Sequence, residues 1–89
     1  MKKNKMGNYE RLIQQIVSGR TDANIAFGDL CNLLLCYGFE MRVSGSHHIF
    51  RKAGIEEKIN LQKDGNKAKP YQVKQVRHII LKYRIGGQN

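Results

Sequence analysis

Residues 38–52 read GFEMRVSGSHHIFRK, and within them the spacing of apolar residues changes from helical to extended. Upstream, Phe27, Leu30, Leu33, Leu34 and Tyr37 recur at steps of three and four, the period of one helix face. Gly38 follows where a helix gives way to left-handed backbone, which glycine adopts without a Cβ penalty. From Phe39 the step is two. Phe39, Met41 and Val43 alternate with Glu40, Arg42 and Ser44, the pattern of a strand with one face on a core. SGS at 44–46 then predicts a turn, and HHIFRK at 47–52 a second strand.

Successive strand side chains point to opposite faces, so His47 and His48 cannot share one. His47, Ile49 and Arg51 form one set; His48, Phe50 and Lys52 form the other. Phe50 has the larger apolar area, and its burial gains on the order of a few kcal/mol. This predicts His48 inward and His47 outward beside Arg51. Burial of Ile49 instead would reverse the assignment.

Outward from this stretch, AGIEE reads as a turn and KINLQ as a third strand with Ile59 and Leu61 on one face. KDGNKAK reads as a basic loop with a turn at Asp64-Gly65. Pro70 suits the first turn of a final helix, where its missing N–H leaves no bond unmade. Val73, Val76, Ile80 and Tyr83 are its apolar stripe, with Lys74, Arg77, His78 and Lys82 on the flanks and Gly86-Gly87 as its stop. At the other end, Asn8 can cap a helix from Tyr9, whose apolar face is Tyr9, Leu12, Ile13, Ile16 and Val17 and which Gly19 ends. Five apolar residues on one face argue that this helix packs into the core. The expected order is helix, helix, three antiparallel strands, helix: an α+β domain with one open sheet face. Residues 1–7 read as a flexible basic tail and 8–89 as one domain, with an N-terminal helix extension at 8–19 and a core at 25–85.

The length of 89 residues suits one small domain. No apolar run approaches the ~20 residues of a membrane span. MKKNKMGNYE lacks the apolar stretch of a secretory signal, so the cytoplasm is the expected compartment. Sixteen Lys and Arg against seven Asp and Glu leave a net charge of +9, most of it after residue 50. Such a balance suggests a polyanionic partner, nucleic acid before membrane. Cys31 and Cys36 sit five apart in a helix, point to different sides and cannot bridge there. Without a Cys-x-x-Cys pair or clustered carboxylates, no metal or other cofactor is expected.

A histidine beside an arginine on an open basic face fits RNA cleavage. RNA supplies its own nucleophile, the 2′-hydroxyl; an imidazole, whose ordinary pKa is ~6.5, can take that proton. A neighbouring cation can steady the charge growing on the phosphate. Taken alone, a His pair on a strand is more often a structural or surface feature.

GFEMRVSGSHHIFRK, followed by a third strand and the helix KPYQVKQVRHIILKY, resembles the HicA family, the toxins of HicA–HicB toxin–antitoxin systems. The resemblance spans roughly residues 27–85, and its most specific element is Gly45, Ser46 and His47 followed by Phe50. It implies a double-stranded-RNA-binding-domain-like fold, α-β-β-β-α, here with an additional N-terminal helix. It also implies a metal-independent mRNA interferase, an endoribonuclease acting on mRNA and blocked by a HicB-like antitoxin protein. Carried over by position, His47 is the first catalytic candidate and His48 the second, since relatives differ by one place; Gly45 and Ser46 shape the turn that presents them. Many relatives carry a Pro-His-Pro-like segment after the third strand. LQKDGNKAKP stands there instead, leaving a lysine or water as any general acid. Arg51, Lys63, Lys67, Lys69, Lys74 and Arg77 are the candidates for holding the RNA backbone. Two other readings fit the same basic domain: a double-stranded-RNA-binding module without chemistry, and a protein whose basic face meets an acidic protein.

Overall fold

A computed structural model describes residues 3–86, with side chains from Tyr9 onward. Helix α1 spans Lys3–Ser18, a 3-10 turn Asp22–Asn24, and helix α2 Phe27–Cys36. Strands β1 (Glu40–Ser44), β2 (His47–Lys52) and β3 (Ile55–Leu61) follow, then a short pair, β4 (Lys63–Asp64) and β5 (Lys67–Ala68), and helix α3 (Pro70–Tyr83). The chain is thus α+β, with three helices and an antiparallel sheet in the order β1-β2-β3. No helix among the described residues is long and apolar enough to cross a membrane.

Helix α2 ends as its sequence predicts. Gly38 adopts φ +95°, its N–H reaches the Leu35 carbonyl at 3.1 Å, and the Phe39 N–H reaches Leu34 at 3.0 Å. These are the paired bonds of a glycine-terminated helix, and they turn the chain from α2 into β1. Leu30, Leu33 and Leu34 are fully buried. They join Phe50, Ile59 and Leu61 from the inner sheet face and Val73, Val76, Ile79 and Ile80 from α3 in one core. Helix α1 packs on α3, and its Ile13 and Ile16 belong to that core; the N-terminal helix is a structural layer, as its apolar stripe predicts.

Several boundaries differ from expectation. Helix α1 starts at Lys3 rather than Tyr9; lysine and methionine are good helix formers, so Asn8 lies within the helix instead of capping it. Residues 1–2 of the expected tail lie outside the described residues. The turn after β2 is confined to Ala53-Gly54, because Ile55 is buried and starts β3. The basic loop is the β4–β5 hairpin, docked on the segment before α2. The Ala68 N–H donates to Ile25 at 2.9 Å, and the Phe27 N–H to Asn66 at 3.0 Å. Helix α3 ends before Gly86: Arg84 takes left-handed backbone at φ 56°, at a cost of roughly 1–2 kcal/mol. Burial of Ile85 and its N–H bond to Ile80 at 3.0 Å hold it there.

Strand β1 is also less covered than its alternation predicts. Met41 and Val43 lie on the core side, paired with Phe50 and His48, yet are 40% and 54% exposed. Alternation sets which way a side chain points; the placement of the helices sets whether it is covered.

Candidate active site on the open face of the sheet

Strand β2 carries both histidines, and its neighbours fix their directions. Phe50 is fully buried, and His48 meets Phe27 of α2 edge-on, ring centroids 4.9 Å apart. His47, Ile49 and Arg51 therefore face away from the helices. Gly45 at φ +62° makes the tight turn that pairs Ser44 with His47 and opens the strand at the histidine.

The register lays residues in rows across the open face. Ser44 and His47 form one; Arg42, Ile49 and Asn60 the next; Glu40 and Arg51 the third. Opposite Arg51 the ladder is irregular, with Glu56, Glu57 and Lys58 facing one residue of β2. At the near end of this bulge Lys58, two residues from Asn60, turns to the open face. Glu40, Met41, Arg42, Ile49, Arg51 and Lys58 line one cleft of about 510 Å³.

His47 is oriented by this face. Its Nδ1 lies 3.0 Å from Oδ1 of Asn60. An amide oxygen only accepts, so Nδ1 donates, and in the neutral ring the lone pair is then on Nε2. A neutral ring held this way presents Nε2 as its proton acceptor. His48 lacks such a partner: its Nδ1 is buried with no hydrogen bond, and Phe27 occupies its side of the sheet.

A polar chain ties the site to α3. Buried Gln72 accepts the Gln62 backbone N–H at 2.8 Å, closing the end of β3. The Gln62 side chain donates to Ser46 Oγ at 3.4 Å and accepts from Lys69 Nζ at 3.4 Å. The ammonium of Lys69 thus stands two hydrogen bonds from the residue before His47.

The other expected RNA contacts disperse. Lys63 sits over the Phe27 ring, 5.9 Å from its centroid, on the His48 side. Lys67 is exposed on β5 and Lys74 on α3. Arg77 is already engaged: it donates to Asp22 at 2.9 and 3.2 Å and to the Ile16 carbonyl at 3.0 Å, joining α3 to the 3-10 turn and the end of α1. Asn60, Arg42 and Lys58 were missed in the sequence. Alternation alone could have put each on the open face, but only the register brings them to His47 and Arg51.

Cys31 and Cys36 are free thiols, the first buried and the second exposed. Burial pushes Cys31 up to about 11 against the opposing effect of Lys63, which removes it as a nucleophile near neutrality. Among the described residues no three His, Cys, Asp or Glu side chains stand together as a metal site. The assembled chemistry is an oriented imidazole beside cations on a solvent-facing sheet. No family model, curated protein or solved structure matches this chain.

Proposed function

We propose that this chain is a metal-independent endoribonuclease of the HicA kind, an mRNA interferase restrained in the cytoplasm by a HicB-like antitoxin. The carrying observation is His47 on the open face with Nδ1 bound to Asn60 at 3.0 Å. The quoted resemblance supports the same residue independently, and with the α+β arrangement it suggests a double-stranded-RNA-binding-domain-like fold.

In this mechanism Nε2 of His47 takes the proton of a ribose 2′-hydroxyl. The 2′-oxygen attacks the adjacent phosphorus, and the bond to the 5′-oxygen breaks. The products are a 2′,3′-cyclic phosphate and a 5′-hydroxyl, whose proton comes from a lysine or water. The nucleophile belongs to the RNA, so the step requires no metal ion. Arg51 shares the open face four residues along β2 from His47, roughly 13 Å away, where it holds the RNA backbone beside the reacting phosphate. Asn60 acts through His47 as a positioning residue.

The test is cleavage of RNA by variants whose folding is verified by circular dichroism. His47→Ala lowers kcat by about 10²–10⁴-fold while RNA binding survives. Asn60→Ala lowers kcat with KM unchanged, and Asn60→Asp, which keeps an acceptor for Nδ1, restores much of it. Loss in His48→Ala but not in His47→Ala would reassign the base. Full cleavage by both variants would leave the domain a binding module.

A further inference from the structure

The cleft beside His47 collects one cation from each strand: Arg42 from β1, Arg51 from β2 and Lys58 from β3. All three are exposed. The ion pairs among the described residues are Arg77–Asp22 and Lys82–Glu57, so none of the three is neutralised by a described carboxylate at contact distance. Glu40, opposite Arg51 in the register, is the one acid in the lining. None of the three faces another directly across the strands, but together they set three positive charges against one negative around a single cleft. A cleft with that balance of charge suits an anion.

We propose that this cleft binds the phosphodiester backbone of an unpaired RNA strand, with Arg42, Arg51 and Lys58 on successive phosphates to one side of the bond presented to His47. The placement relative to His47 and the choice of an unpaired strand rest on the ribonuclease reading; the binding of a phosphodiester backbone does not. Three features select this ligand. The row of Arg42, Ile49 and Asn60 lies two residues along β2 from His47, roughly 7 Å, so a strand crossing the cleft continues onto the imidazole. The floor is aliphatic Ile49, which offers no ring for base stacking, so the cleft grips charge and sugar with little sequence choice. Attack by a 2′-oxygen needs the leaving 5′-oxygen in line behind phosphorus, a geometry that an unpaired nucleotide reaches and an A-form duplex restrains.

The experiment uses the full chain and a single-stranded oligonucleotide with 2′-O-methyl groups, which has no nucleophile and stays intact whatever His47 does. Affinity is titrated against salt for the parent and for Arg42→Ala/Lys58→Ala, both exposed positions where folding is retained. Two phosphate contacts fewer reduce the slope of log K against log salt by about 1.4, at ~0.7 per contact on single strands. On cleavable RNA the same variant raises KM and keeps kcat at saturation. The proposal is overturned if affinity and slope match the parent, if a duplex of the same sequence binds as tightly, or if no RNA binds at low salt, which would point the face to an acidic protein. Cleavage surviving in both histidine variants would sink the ribonuclease reading while leaving the intact-strand titration to decide the cleft.

Discussion

Replacing Arg77 separates a structural cation from an RNA-binding one. The guanidinium makes both arms of a fork to Asp22, 2.9 and 3.2 Å, and shares one arm with the Ile16 carbonyl at 3.0 Å. That carbonyl, in the last turn of α1, also accepts the Gly19 N–H at 3.2 Å. The two side chains are 19% and 20% exposed, between two regimes. Exposed pairs contribute about 0–1 kcal/mol, while removing one partner of a buried pair costs about 3–5 kcal/mol. Arg77→Ala should therefore cost about 2–3 kcal/mol, since solvent reaches the orphaned Asp22 only in part. For a domain of this size that lowers the melting temperature by roughly 10–20 °C, at about 4–8 °C per kcal/mol. Arg77→Lys keeps the charge but not the fork, and recovers about half. Thermal unfolding followed by circular dichroism, with Asp22→Asn and the double variant completing a cycle, measures the coupling. RNA affinity, taken well below the melting temperature, should stay at the parent value. A melting temperature within about 2 °C of the parent would refute the structural role; lost RNA affinity with unchanged stability would put Arg77 at the nucleic-acid interface.

Two further predictions follow from the ionisable groups. Hydrogen bonds from Lys82 and Tyr83 hold the Glu57 carboxyl at about 2, below its ordinary 4.5. The folded state therefore keeps the carboxylate where the unfolded chain takes up a proton. This stabilisation is complete above pH 4.5 and is lost as pH falls towards about 2. Glu57→Gln should melt below the parent at about pH 6 and converge with it near pH 2; a gap independent of pH would exclude the linkage. Alkylation of the folded chain with iodoacetamide at about pH 8 should add one group, at exposed Cys36, and a second at Cys31 only after denaturation. Equal rates at both thiols in mass spectrometry would contradict the burial of Cys31.

Much of the site was legible because strand alternation is a local property. Two residues per repeat put His47 and His48 on opposite faces whatever surrounds them, and Phe50's apolar area turned His48 inward. The helical stripe Leu30, Leu33, Leu34 and the stop at Gly38 follow equally from backbone geometry over a few residues. Arg77 was misleading for the same reason: on a helix flank it looks like any solvent-facing cation, and its partners lie 55 and 61 positions earlier in the chain.

From its sequence alone this protein is determined to be a small basic α+β domain with its helices and central strands in the order found and one histidine turned outward. The tertiary structure decided which side chain orients that histidine, which three cations share its face, and which expected contacts were engaged elsewhere. Periodicity is written into the torsions of neighbouring residues. The pairing of Asn60 with His47, the bulge opposite Arg51 and the bare inner side of β1 depend on how distant segments settle against one core. No local pattern carries that information.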